Sequence, residues 1–570
     1  MEVAAGCTPS ATTGASLRQP IDWHGINWAK VNRTVRRLQV RIVKAIQAGQ
    51  KRKARALQYI LARSFSGKAL AVRRVTENKG KRTAGVDGKI WDTPEKKAQG
   101  IKTLRQYSYR AQPLRRTHIP KSNGKKRPLG IATMTDRAMQ TLYKLALDPI
   151  AETTGDPNSY GFREKRSTTD AIAQCFACLS QKRSATAIWE ADIRGCFDNI
   201  SFDWLMDNIP MEKSILRQWL KAGYIDRNVY YSTKDGTPQG SPASPVLANL
   251  ALDGLEAAVI GQWPCNYKRR HQLHLVRFAD DFVVFGRQKE VLTTKVEPNV
   301  ASFLAARGLE LSAEKTRLTD INAGFDFLGQ NVRKYNGKLL IKPSKKSIKA
   351  VLLKVRTLIK NQRHLSAGQL ITKLNPIIRG WANYHRHVVS KKTFNYIDYQ
   401  VRQALWRWAK RRHHNKGASW ILTKYFRPKN QRYSGFYGQV RRKDGSKHTI
   451  KLVSAAKIPV TRHVKVKASA NPFDPKWERY FEKRLETKMM ADYKGNRLML
   501  HLWQSQKGIC PVCDDVITEE TGWDNHHIIY RVNGGTDTLN NRVLLHPTCH
   551  KQVHSLNISV LKPRPTTGRS

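Results

Sequence analysis

The sequence predicts an α+β multidomain protein, and three observations predict it. At 570 residues the chain exceeds a single domain, and its 40% hydrophobic content is enough for real cores, so disorder is not the default. Helix-like and strand-like segments alternate up to about residue 335. Basic helices then take over, and a Cys/His-rich segment closes the chain. No internal repeat is visible.

Taken in order, Met1 to Pro20 is small and Ser/Thr-rich, and it lacks the basic start and apolar core of a secretory signal. It is expected to be a disordered lead. From Asn27 to about Ala71 the pattern is basic and helical, with Val35, Leu38, Ile42, Val43 and Ile46 at helical spacing, and could line a template channel. Thr83-Ala84-Gly85-Val86-Asp87-Gly88 is a turn-rich break. Residues 113–131 read as a strand, a loop at Lys121-Ser122-Asn123-Gly124, and a second strand from Arg127. Ile348, Val351, Leu352, Val355, Leu358 and Ile359 form an apolar helical stripe, and Lys349, Lys354, Arg356 and Lys360 occupy the other face. Asn471-Pro472-Phe473 marks a linker, followed by a mixed-charge helical stretch to about Gln506.

Charge names the partner class. The net charge of +59 calls for a polyanion, nucleic acid rather than an anionic membrane surface. Between Phe327 and Phe473, 35 Lys and Arg face two acids, Asp398 and Asp444. So long a stretch nearly without acids would repel itself unless a polyanion lay against it. No apolar run comes near the roughly 20 residues of a membrane span, so no membrane partner is expected. Eight cysteines do not make a disulfide scaffold, and an intracellular reducing compartment fits.

The candidate chemistry centres on Phe278-Ala279-Asp280-Asp281, two carboxylates at the tip of an apolar hairpin, where charge is costly unless a cation binds. Asp192 ends another apolar run 88 residues upstream of Asp280. Three carboxylates on neighbouring strands can hold the two-metal clamp of nucleotidyl transfer. Gly236-Thr237-Pro238-Gln239-Gly240-Ser241-Pro242 is a loop whose backbone and Gln239 could approach a nucleotide. Lys121 and Arg127 could clamp a triphosphate, and Phe197 could pack against the sugar. Taken singly, the Asp pair reads as a solvated turn, the Gln239 loop as a plain turn and Phe197 as a core aromatic.

Together, in this order and spacing, these residues resemble the reverse transcriptase of mobile group II introns. The matching blocks include Thr83 to Gly88, Ser159-Tyr160-Gly161-Phe162-Arg163, Gly308-Leu309-Glu310-Leu311-Ser312 with Glu314-Lys315-Thr316, and Gly324-Phe325-Asp326-Phe327-Leu328-Gly329. Leu374-Asn375-Pro376-Ile377-Ile378-Arg379-Gly380-Trp381-Ala382-Asn383-Tyr384 resembles the thumb, or maturase, region. The resemblance implies a right-hand polymerase of fingers, palm and α-helical thumb. It implies Asp192, Asp280 and Asp281 as ligands of two catalytic Mg2+ ions and Phe197 as the gate against a 2′-hydroxyl. Lys121, Arg127, Gln239 and Lys315 would contact the dNTP. Two positions depart from the family: Phe278 stands where it usually has Tyr, and Gly240-Ser241 where it often has Gly-Gly.

The C-terminal segment speaks independently. Cys510, Cys513, His546 and Cys549 are four ligands suited to a structural Zn2+. Zinc alone leaves Asn525-His526-His527, Asn541, His550 and His554 unexplained, and these resemble an HNH endonuclease, the ββα-metal fold. By that resemblance His527 is the general base, His526, His550 and His554 hold Mg2+ or a similar ion, and Asn541 orients the loop bearing the base. Cys175 and Cys178 have no second pair nearby and read as core. Leu405 to Arg412, with Trp406 and Trp408, could stack on bases or fill a core.

The expected organisation is a lead at 1–20, fingers and palm at 21–335, thumb or maturase domain at 336–415, a basic DNA-binding region at 416–490 and the HNH domain at 491–570. The implied protein works with group II intron RNA as a ribonucleoprotein, using dNTPs and target DNA. A cytoplasmic, nucleoid-associated protein of a bacterium is expected rather than an organellar one. Two rivals are an RNA-binding splicing factor with an unused polymerase site and a DNA-only homing nuclease. Retention of both residue sets argues against the first, and the Asp triad with Phe197 against the second.

Overall fold

The N-terminal helical periodicity is realised as three helices, Trp28–Gln47, Lys51–Arg63 and Phe65–Glu77, packed on a long buried helix, Met134–Thr154. Side-chain caps start them where the sequence offers one: Asn27 accepts the N–H of Lys30, and Ser64 that of Gly67. This is a computed structural model that describes residues 21–561 except 121–125, 234, 238, 262, 427–434, 442–444, 493–496, 519–520 and 531–532. The expected lead at 1–20 lies outside the described residues.

The fingers sheet runs Lys126–Ile131, Leu114–Pro120, Tyr224–Asp226, Val229–Tyr231. Thr83 to Gly88 is pinned at its base: Arg137 donates to the carbonyl of Thr83 at 2.5 Å and Arg115 to that of Ala84 at 2.8 Å.

The palm sheet has the order His274–Phe278, Asp281–Gly286, Ala187–Asp192, Arg317–Asp320, all antiparallel. Val276, Val283, Val284, Phe285, Ile188 and Trp189 are buried, so the sheet is covered on both faces. The helix from Ser244 is part of that covering. The run Ser244–Gly261 does have the length and apolarity of a membrane span, contrary to the sequence expectation, but half of it is buried within the protein.

The thumb comprises helices Lys345–Asn361, Ala367–His385 and Lys391–Arg412 around Val355, Leu374, Ile378, Phe394 and Trp408. Trp408 is core and Trp406 packs partly buried against it. Cys175 and Cys178 are likewise core. Lys349, Lys354, Arg356 and Lys360 are exposed. Asp398 does not neutralise them: its carboxylate accepts from Ser454 Oγ at 2.6 Å and from the N–H groups of Ala455 and Ala456 at 2.8 and 2.9 Å. Asp444 lies outside the described residues.

The described part of the stretch expected as a basic DNA-binding region packs along the rest of the protein. Its hairpin, Tyr437–Arg441 with Lys447–Lys451, packs on helix Ala367–His385 so closely that a Cβ at Gly368 would stand 2.1 Å from the carbonyl oxygen of Gln439. The supposed linker is buried: Asn471 bonds Thr153, Gln47 bonds Asp474, and Phe473 is 3% exposed. The turn itself forms, Asn471 Oδ1 accepting the N–H of Phe473 at 2.9 Å, but it is packed inside rather than exposed. The C-terminal module pairs Asp524–His527 with Arg542–Leu545 and follows them with helix Pro547–Ser555, a ββα unit. Its buried residues join the fingers core as one cluster.

Candidate active sites

Strand alternation and pairing build the first site. Asp192 sits directly opposite Asp281, which also pairs with Phe278 across a two-residue turn, Ala279-Asp280. Ala279 takes φ +59°, the left-handed conformation such a tight hairpin demands. Three carboxylates thus meet at one end of the palm sheet. Burial, the Asp280 and Asp192 charges and the hydrogen bond to Asp192 push the Asp281 carboxyl up to about 6. Burial also raises Asp280, with Asp192 adding to the shift and Arg127 and Lys315 opposing it. Lys315 Nζ lies 2.6 Å from Asp192 Oδ2. Buried, neighbouring carboxylates, one of which resists ionisation, are donors that suit divalent cations, although the three oxygens are not drawn within 4.8 Å of one another.

The turn is held from beneath. Gly161 lies against it, where a Cβ would stand 2.3 Å from the backbone nitrogen of Ala279. Tyr160 donates its N–H to the Arg277 carbonyl at 2.9 Å, and Asn249 Nδ2 donates to the Gly161 carbonyl at 2.9 Å. Arg277, fully buried, pairs with Asp253 at 2.5 Å and Asp156 at 3.6 Å. Sequence reasoning missed this charge, although a lone Arg inside the apolar strand His274–Phe278 was the available signal. Phe278, half-buried, packs its ring against the palm core.

Gln239 is brought to the same end. Its carbonyl accepts the N–H of Gly130 at 2.7 Å, docking the loop on the fingers strand that carries Arg127, and its Nε2 reaches Asp198 Oδ2 at 3.5 Å. Ser241, the departure from Gly-Gly, is buried, and its Oγ accepts the N–H of Ser244 at the start of the following helix. Phe197 is half-buried, edge-to-face with Phe162 at 6.3 Å. Arg127 is exposed in the strand paired with Ile119. Lys121 lies outside the described residues.

Among the described residues, ligand atoms of three or more His, Cys, Asp or Glu lie within 4.8 Å of one another in two groups, both in the C-terminal module. Cys510, Cys513, His546 and Cys549 form the first, all buried. Three thiols and one imidazole in a dry site match structural zinc. His546 Nδ1 lies 3.3 Å from Cys513 Sγ, so imidazole and thiols already face one another across the cluster. The second group is His526 from the first strand with His550 and His554 from the helix. Burial and the neighbouring histidines push His526 down to about 4, leaving it neutral as a ligand must be.

His527 stands apart from this group. Its Nε2 is 2.8 Å from Asp537 Oδ1, which also receives Arg542 Nη2 at 2.7 Å. Asp524 lies 3.1 Å from His550 Nδ1. Neither Asp was foreseen, although Asp524 directly precedes Asn525-His526-His527. Asn541 staples the loop after His527: Nδ2 donates to the carbonyls of Ile529 and Thr536, and Oδ1 accepts from the N–H of Ile529 at 2.7 Å.

Comparison with known proteins gives four family matches. Residues 23–104 match the N-terminal domain of reverse transcriptase, 119–332 reverse transcriptase (RNA-dependent DNA polymerase), 348–426 the group II intron maturase-specific domain, and 510–556 HNH endonuclease. Over 425 residues the chain is 27% identical to group II intron-encoded protein LtrA of Lactococcus lactis subsp. cremoris, covering 58% of this chain and 70% of that protein. It is 29% identical over 302 residues to protein YkfC of Escherichia coli (strain K12), 46% of this chain and 79% of that one. It is 25% identical over 368 residues to maturase-like protein 1 of Euglena gracilis, 63% of this chain and 76% of that one.

Proposed function

The chain belongs to the group II intron-encoded reverse transcriptases with a maturase domain and a C-terminal HNH module, and on that footing we propose how its two sites divide the work of intron mobility. Intron RNA lies against the basic thumb, whose one described acid, Asp398, is spent on capping a turn. That contact assists splicing and reverse splicing into one DNA strand. The HNH module nicks the other strand, and the palm extends the new 3′ end with dNTPs.

Asp192, Asp280 and Asp281 would hold divalent ions, which supply the clamp on the attacking and leaving oxygens of nucleotidyl transfer. Lys315 steadies Asp192, while Arg127 and the docked Gln239 loop orient the triphosphate and base. Phe197, braced by Phe162, crowds the sugar. In the nuclease, His526, His550 and His554 would hold one ion and Cys510, Cys513, His546 and Cys549 a zinc. His527, oriented by Asp537, takes the proton from the attacking water.

The observation that carries the reading is Asp192 facing Asp281 with Asp280 at the turn, beside a loop fixed to the fingers. Primer extension on an RNA template, comparing the protein with Asp280→Ala, tests it. The expected result is cDNA from the first and none above background from the second, with splicing intact in both. Equally poor incorporation by the two, with splicing still stimulated, refutes the polymerase.

A further inference from the structure

Arg73 lies on the fingers helix Phe65–Glu77, yet it reaches the nuclease zinc cluster. It is 4% exposed, with Nη2 3.7 Å from Sγ of Cys549 and Nε 3.1 Å from Glu77. Its guanidinium carbon is 4.8 Å from the Trp28 ring centroid, and Nη1 is buried without a hydrogen-bond partner. The contact is flanked on the same face. Thr548, next to Cys549, hydrogen-bonds Glu77. Gln552 Nε2 donates to the carbonyls of His24 at 2.7 Å and Ile26 at 3.1 Å.

Three thiolates and a neutral imidazole around Zn2+ leave one net negative charge in a dry interior, which is costly without a counter-charge. The buried guanidinium of Arg73 is offset on one side only, at Nε, by the part-exposed Glu77, whose same oxygen Thr548 also binds; its Nη2 is turned to Cys549. We propose that the Cys3His centre is also the joint between the nuclease and the fingers, with Arg73 the counter-charge of the loaded centre. The inference rests on the zinc reading of those four ligands. Zinc binding and docking are then linked reciprocally: each strengthens the other by the same factor. The nuclease module is thereby fixed relative to the polymerase that uses its product.

Full-length protein and Arg73→Met are tested for zinc per chain and for transfer of zinc to a competing chelator. Loss of this outer partner weakens zinc retention by about 10–100-fold. Independently, zinc is stripped from the unmodified protein with a chelator that spares Mg2+, and amide exchange is read across 24–35 and 65–77. Faster exchange in both segments is expected. Unchanged exchange after zinc leaves overturns the joint while sparing the zinc reading, and so does a substituted protein that holds zinc as tightly as the original. A protein that binds no zinc overturns both. The stripping arm decides the proposal even if Arg73→Met does not fold.

Discussion

Replacing Gly161 with Ala should disable the polymerase without unfolding it. The added Cβ would stand 2.3 Å from Ala279 N, 2.8 Å from Phe278 C and 2.9 Å from Ala279 Cβ, where ordinary contact begins at 3.4 Å. These neighbours are mostly backbone, so the metal-site turn itself must retreat by about 1 Å, a displacement that can cost about 10²-fold in rate. Overpacking of this kind costs about 1–3 kcal/mol, well inside the stability of a folded domain. Single-nucleotide incorporation at saturating dNTP should therefore fall about 100-fold, with DNA nicking by the same preparation unchanged. Incorporation within about threefold of the unmodified protein would refute the claim that Gly161 sets the position of Asp280 and Asp281.

Three further outcomes are expected. Lys315→Met removes an exposed partner of Asp192, so stability should move by no more than about 1 kcal/mol. The KM for dNTP should rise in steady-state kinetics. Asn541→Ala deletes three hydrogen bonds that hold the loop after His527, about 3 kcal/mol of local order, and should cut nicking while leaving primer extension intact. Burial pushes His385 down to about 3 and His387 to about 4, both below the ordinary value near 6.5. Because the folded values are depressed, this stability is complete above about pH 6.5 and is lost as pH falls toward 4 and then 3. Denaturant unfolding should show the thumb weakening by about 1.4 kcal/mol per pH unit per histidine between pH 6 and 5. His385→Gln should remove its share of that slope.

Local rules made much of the architecture readable. An Asp pair between apolar runs, a third Asp closing another run and an amphipathic stripe with a cationic face each depend on residues close in sequence. The structure sets Asp192 and Asp281 on paired strands with Asp280 in the turn between, and the stripe on the thumb. What escaped depends on distant partners. A lone Arg in an apolar strand hints at Arg277, but what it holds shows only with Asp156 and Asp253, which are distant in sequence. Asn471-Pro472-Phe473 reads as a linker until the contacts with Thr153 and Gln47 bury it. Asp537 is ten residues from His527, in a loop whose path Asn541 decides. The contact of Arg73 with Cys549 spans 476 residues, and no periodicity encodes it.

The central claim is that two chemically separate sites act in sequence. It is tested most directly by following both DNA strands in one reaction of the ribonucleoprotein with its target duplex. Asp280→Ala should nick the second strand and leave it unextended. His527→Ala should leave it intact, yet extend a target supplied already nicked. Loss of nicking in Asp280→Ala, or failure of His527→Ala to extend the already nicked target, would contradict the account.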